Sequence, residues 1–468
     1  DSAASEAGPR VPFTFLLSAK GIIIPSKALR THTVVQTFLL CGGSGQRLWP
    51  LSGRIRSKMF LELLPAPDGG KESMIGGVCR PFDDAGLGAS ALFVAHEVKL
   101  ATSRRHTRNR YTVIGEPHKR GTFTAAALGA LYLYSAGKAK PEDTLCVAPA
   151  DMYTDDAFFD CFHRFTDILA DSQAELVLLG TRPTHPSDQY GYIIPGNAGT
   201  GAYAPVLSFQ EKPDSARAVE LRQQQALWNC GIFAFRLSFM LSHLERMGLP
   251  AEPAAFTELY PGFPVRSFDQ EVAERSRKAV VLRHEGEWRD LGSWDALTAR
   301  LADPVIGEGG IWGSSRDTHI VNDLGIPLHV IGVSGIVAAG RPEGILIAGK
   351  GEANAIKEIL QQAAEEPRYG ETGWGSYTVL DRTFSGPEVI LTVALSLLPA
   401  HDLPELQCQH SGKSWVIVSG QGEIVLNGLP AAAQTGGIFT IARGDRHGIR
   451  AFTALKLIEI RTCGQDDE

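Results

Sequence analysis

The sequence has little that would tie it to a membrane, an oxidising compartment or a nucleic acid. No uninterrupted apolar stretch among its 468 residues reaches the roughly 18 needed to cross a bilayer. The segment VPFTFLLSAKGIIIPSKA is divided by Lys20 and preceded by acidic residues, so a secretion signal is not expected. Seven cysteines stand singly at positions 41, 79, 146, 161, 230, 408 and 463. An odd number with no CxxC pair fits free thiols in a reducing compartment better than a disulfide framework. A net charge of −7 lacks the basic excess of a nucleic-acid-binding face. With 44% hydrophobic and 21% charged residues, the composition is that of a globular protein of the cytoplasm, with neither membrane nor nucleic acid as a partner.

The length exceeds one ordinary domain, and two or three are expected. Residues 1–33 read as a tail or extension without an assigned role. Over 34–302, short aliphatic runs (VVQTFLL, ALFVAH, YTVIGE, DTLCVAPAD, ELVLLGTR) alternate with longer stretches of three-to-four apolar spacing such as FTAAALGALYLYSAG. That alternation predicts an α/β domain with a mostly parallel sheet and helices on both faces. Residues 303–368 are glycine-rich with brief β runs and one helical stretch, EANAIKEILQQAAEE. Residues 369–468 are strand-like almost throughout, with glycine and proline turns, and predict an all-β barrel or sandwich.

One strand, VVQTFLL, empties into LCGGSGQRLWPL at residues 40–51. Gly42, Gly43 and Gly45 offer successive backbone N–H groups with no side chains to block a phosphate. No GK[ST] follows, so this is not a P-loop, and Leu48 breaks GxGxxG. Arg47 directly after the loop, and Lys58 within RSKMFLEL, make it suit a triphosphate better than a dinucleotide.

The stretch CGGSGQRLWPLSGRIRSKMFLEL resembles the signature of the mannose-1-phosphate guanylyltransferases, GGSGTRLWPLSR followed by PKQFL. EPHKRGTFTAAALGAL, VAPADMYTDDAFF, PSDQYGYI, FQEKPD, LWNCGIFAFR, SFDQEVAE and EWRDLGSWDAL follow in the family's order. The resemblance implies a nucleotidyltransferase domain (GT-A/Rossmann-like), a short β-helix-like linker module and a C-terminal cupin barrel. It implies transfer from GTP to mannose 1-phosphate, with Mg2+ as cofactor and a homo-oligomer as the assembly. Carried onto this chain, Arg47 and Lys58 are catalytic. Gly42, Gly43, Gly45, Gln46, Arg120 and Thr122 contact the nucleotide. Gly191, Tyr192, Glu211, Lys212 and Asn229 hold the sugar phosphate, and Asp151 and Asp290 hold the metal. Trp228 and Trp294 are expected in the core.

The chain departs from the pattern at Gln46, Gly53, Ser57, Met59, Gly121, Met152, Asp188 and Gln189. The charged centre is kept while neutral hydrogen-bonding positions change, which leaves base preference open and keeps a catalytically idle GDP-mannose-binding paralogue as an alternative. In longer family members the barrel isomerises mannose 6-phosphate on a metal. Here LQCQHSGKSW places Leu406, Cys408, Ser411 and Lys413 where glutamine, a ligand histidine, arginine and a ligand glutamate are usual. An ammonium in place of a carboxylate ligand repels a dication. Cys408, His410 and His447 are donor types zinc accepts, but a structural histidine and a small buried thiol are the simpler account. Loss of the isomerase is the expectation.

Overall fold

The computed structural model describes residues 35–43, 45–53, 56–197, 202–362, 368–385, 388–408 and 412–464. The expected extension over 1–33, and His410 and Ser411 of the barrel, lie outside the described residues.

Nine strands form the first domain's sheet, in the order Thr112–Glu116, Ala91–His96, Gln36–Leu40, Thr144–Pro149, Leu227–Arg236, Leu176–Thr181, Ala279–His284, Tyr203–Gln210 and Tyr192–Pro195. The first four run parallel, with Phe38 opposite both Leu92 and Val147. Leu227–Arg236 then enters antiparallel to both its neighbours, so the parallel character is confined to part of a mixed sheet. Two apolar cores cover its two faces, which is why the parallel strands read as unbroken hydrophobic runs. The Thr122–Ser135 helix is buried along most of its length, as a helix apolar on all sides must be. Its Gly129 lies so close to the Phe38 ring that a Cβ would stand 3.0 Å from it. Met74–Asp84 begins at Ser73, whose side chain accepts from the Gly76 N–H at 3.2 Å.

Beyond this domain, Val305–Ile306, His319–Asn322 and Ile336–Arg341 stack in parallel, as do Gly309–Trp312 and Leu328–Ile331. Such stacked parallel coils bury Ile320, Val330 and Ala338 between them. The last unit packs a six-stranded antiparallel sheet against a four-stranded one around Val389, Leu391, Val393, Trp415, Ile424, Ile449 and Leu457. This is the two-sheet jelly-roll arrangement of cupins. Burial alternates residue by residue along Glu388–Leu397, the period of a strand with one face inward.

One further core joins the first two units. Leu48, Leu51 and Leu61, from the segment after the glycine loop, pack with Leu291, Trp294 and Leu297 and with Val321, Val337 and Ala339 of the stacked coils. Gly344 sits against the Trp49 indole, where a Cβ would come within 2.5 Å. Among the described residues no helix is long and apolar enough to cross a membrane.

Candidate active site

The glycine loop leaves the C-terminal end of Gln36–Leu40, in the middle of the parallel strands, where open α/β sheets place their ligands. Gly42 and Gly43 are exposed; nothing crowds Gly42, and the nearest group to a Cβ on Gly43 would be Asp151 Oδ2 at 3.6 Å. Gly45 has φ +69°, and a Cβ there would meet Lys58 Cβ at 2.7 Å, so glycine is required on both counts. Gln46 and Arg47 open the short turn Gln46–Leu48. Three side chains grip the loop through its carbonyls. Ser52 Oγ donates to Gly45 O at 2.6 Å, Ser57 Oγ donates to Gly43 O at 2.6 Å, and Lys99 Nζ lies 3.4 Å from Gly43 O. Ser57 stands where the family usually has proline; its hydroxyl makes a bond proline cannot.

Lys58, only 6% exposed, brings the two aspartates together. Its Nζ lies 3.0 Å from Asp151 Oδ2 and 2.6 Å from Asp290 Oδ1. The two carboxylates therefore stand no farther apart than the sum of those distances, although 139 residues separate them in the chain. Antiparallel pairing of Trp288–Asp290 with Met152–Thr154 carries them to one place. Burial opposes the charge on Lys58, but Asp151 and Asp290 outweigh it and hold the ammonium above the usual lysine range. Burial likewise opposes ionisation of Asp290; Lys58, and then Arg47, overcome it and keep the carboxyl below its ordinary range.

A cavity of about 190 Å³ opens beside this triad, lined in part by Lys58, Asp151, Asp290, Gly191, Glu211, Lys212 and Asn229. A Cβ on Gly191 would sit 2.6 Å from Glu211 Oε2, so glycine makes room for that carboxylate. Lys212 Nζ pairs with Glu211 Oε1 at 2.8 Å. Asn229 donates from Nδ2 to Asp269 Oδ1 at 2.7 Å and accepts the Gly231 N–H at 3.1 Å. Burial, then the charge of Glu211, push the Asp269 carboxyl up to about 6. Asp269 was not singled out from sequence; its signal lay in SFDQEVAE. A second cavity, of about 600 Å³, shares Gln189, Tyr190, Trp288 and Asp290 with the first and is lined by Arg47 and Asp188.

Three of the expected contacts are placed otherwise. Tyr192 is fully buried, with its hydroxyl accepting the Ser187 N–H at 2.9 Å, so its side chain faces the core and not the cavity beside Lys58. Arg120 donates to the carbonyls of Tyr260 and Pro261, and Thr122 accepts the Phe268 N–H at 2.8 Å. Both brace the 260–268 segment, whose Arg266 carbonyl fills the space a Cβ on Gly121 would need.

In the barrel, Lys413 Nζ donates to Glu459 Oε2 at 3.0 Å, and the Trp415 indole N–H donates to the same oxygen at 2.8 Å. His447 is 2% exposed beside the Trp415 ring, and burial, then Lys413, lower its pKa. Among the described residues no three His, Cys, Asp or Glu side chains converge as a metal-binding group.

The model of a protein family described as nucleotidyl transferase matches residues 36–303. The chain belongs to the nucleotidyl transferase family. Among similar proteins, a mannose-1-phosphate guanylyltransferase of Sinorhizobium fredii is 26% identical, with 95% of this chain and 93% of that protein covered. The mannose-1-phosphate guanylyltransferase RfbM of Salmonella typhimurium is 27% identical over 92% of this chain and 95% of its own. The solved structure described as mannose-1-phosphate geranyltransferase from Thermus thermophilus superposes with a TM-score of 0.59 at 29% identity, covering 70% of this chain and 99% of its own. Arg47 lines one of the two cavities and Lys58 the other, and the cavities meet at Gln189, Tyr190, Trp288 and Asp290, so a cation stands in each of two adjoining openings.

Proposed function

We propose that this nucleotidyl transferase is a mannose-1-phosphate guanylyltransferase, converting GTP and mannose 1-phosphate into GDP-mannose and pyrophosphate in the cytoplasm, and so supplying polysaccharide synthesis. The observation that carries the reading is the Lys58 ammonium between Asp151 and Asp290, beside an open glycine loop. The similar proteins named for this activity, matched over nearly their whole length, support the choice of substrates.

The nucleophile is a sugar phosphate, anionic at neutral pH, so no general base is needed; what must be overcome is repulsion between phosphates and charge growing on the leaving pyrophosphate. Gly42, Gly43, Gly45 and Gln46 supply the cradle for the triphosphate. Arg47 offers a planar fork to its oxygens, and Lys58 a compact charge at the point where the two substrates meet. Glu211, Lys212, Asn229 and the backbone at Gly191 line the sugar side, and Asp269 orients the Asn229 amide. Asp151 and Asp290 would hold Mg2+. Two converging carboxylates form an all-oxygen donor set that fits this ion, which completes its shell with water and substrate phosphate. When bound, the ion supplies charge neutralisation at the phosphates.

The test is pyrophosphate release by the purified chain with each common nucleoside triphosphate against several hexose 1-phosphates. Turnover should be highest with GTP and mannose 1-phosphate. No release with any pair, despite binding of GDP-mannose, would establish the idle paralogue instead.

A further inference from the structure

Lys58 and Ser57, which build the centre, follow directly after Arg56, and Arg56 is held by another domain. Its Nε lies 3.6 Å from Glu371 Oε1, and its guanidinium stands 5.5 Å from the centre of the Tyr369 ring. Glu371 and Tyr369 belong to Tyr369–Glu371, the first strand of the C-terminal barrel. The Tyr369 hydroxyl donates to Glu371 Oε1 at 2.8 Å, and Arg105 donates to the other oxygen at 3.0 Å. Arg341, from the stacked coils, covers the same tyrosine ring at 5.4 Å and donates to Leu51 O at 3.2 Å. Two guanidinium groups on one ring repel each other; the ring's negative face and the Glu371 and Asp323 carboxylates make their approach possible.

This is not an exposed ion pair of negligible effect. The side chain of Glu371 is 10% exposed and that of Arg56 21%, so solvent screens them less than it would a surface pair. The chain from Arg56 to the site is also short. Arg56 O accepts the Gly53 N–H at 2.9 Å; the next residue, Ser57, holds the Gly43 carbonyl; the next, Lys58, bridges the aspartates.

We propose that Glu371 and Tyr369 of the barrel are positioning residues for nucleotidyl transfer: by seating Arg56 they fix the backbone from which Ser57 holds the glycine loop and Lys58 reaches Asp151 and Asp290. This rests on the transferase reading above. It gives the barrel a part in the chemistry of its neighbour.

The test uses the full chain with Glu371→Gln, Arg56→Gln, their combination and Tyr369→Phe. Glu371→Gln should lower kcat about 10- to 100-fold, the usual size of a small misplacement of reacting groups. KM for GTP and for mannose 1-phosphate should stay within about threefold of wild type. The double variant should be no slower than the slower single variant, because Glu371 acts on the site only through Arg56. Amide hydrogen exchange across residues 56–61 should quicken in Glu371→Gln, and this readout needs no turnover. If the wild type releases no pyrophosphate, the transferase reading fails on its own, and exchange alone decides whether Glu371 holds the segment. Wild-type kcat in Glu371→Gln, multiplying losses in the double variant, or unchanged exchange would overturn the proposal. Should Glu371→Gln fail to fold, Tyr369→Phe, which removes a single hydroxyl bond to Glu371, is judged by the same criteria.

Discussion

Replacing Lys58 with methionine keeps the length and apolar bulk of the side chain and removes the ammonium shared by Asp151 and Asp290. At the 3.0 and 2.6 Å seen here, each contact corresponds to roughly 5–6 kcal/mol of Coulomb attraction at an effective dielectric of about 20. Desolvation of the three charges offsets most of that, and removal of one partner of a buried pair costs about 3–5 kcal/mol. The Asp290 side chain is 39% exposed and can be rehydrated, so a loss of about 2–3 kcal/mol is expected for Lys58→Met. Calorimetric melting should show it as a lowered transition. Two uncompensated carboxylates should also attract a dication more strongly, so Mg2+ alone should raise the melting temperature of the variant more than that of the wild type. Pyrophosphate release should fall about a thousandfold in kcat/KM, the scale of removing one preorganised charge from a phosphoryl-transfer site. A variant within tenfold of wild-type kcat/KM, or one that melts unchanged and ignores Mg2+, would refute the reasoning.

Gly191→Ala should displace the Glu211 carboxylate, which a Cβ would approach to 2.6 Å; KM for the sugar phosphate should rise about tenfold, an overpacking cost of about 1–3 kcal/mol, with KM for GTP unchanged. Asp269 gains a proton as pH falls through about 6, so KM for the sugar phosphate should rise below that pH, and Asp269→Asn should remove the dependence. The folded chain keeps this proton between the ordinary carboxyl range and pH 6, where the unfolded chain has released it; stability contributed by Asp269 therefore falls as pH rises through that window, and Asp269→Asn should flatten the slope of melting temperature against pH. Burial, then Lys119, lowers Lys99 to about 8, against the opposing pull of Glu116 and Asp151. As pH rises through 8 the charge under the glycine loop is lost, so KM for GTP should climb, whereas Lys99→Met should show a high, flat KM, about tenfold above wild type, the scale of one charge-assisted hydrogen bond.

What could be read from sequence was whatever a local pattern encodes. A strand running into glycines, followed by a guanidinium and an ammonium, needs no long-range information, and the structure leaves Gly42 and Gly43 open, as that pattern implies. Alternating strand and helix periods marked the first domain, but not that Leu227–Arg236 runs antiparallel at its centre, because strand direction leaves no trace in composition. Asp269 was illegible for a related reason. In SFDQEVAE it looks like one more acid on a solvated face, until a distant strand brings the Asn229 amide to it. Arg120 and Thr122 occupy the right motif positions, yet their bonds go to a segment some 140 residues later. Ser57 read as the loss of a proline, when its hydroxyl is a gain. In the barrel, Lys413 was conspicuous, but its partner was not; Glu459 reaches it only through strand pairing that sets Trp415 opposite Glu459.

That pairing has a practical consequence. The barrel carries its counter-cation as a covalent part of the chain, where Lys413 meets Glu459 with little solvent between. A chelator can strip an ion but not a side chain, so the Lys413–Glu459 contact itself survives chelation. On the proposed assignment of Asp151 and Asp290 to the ion, a dication requirement in turnover arises in the first domain.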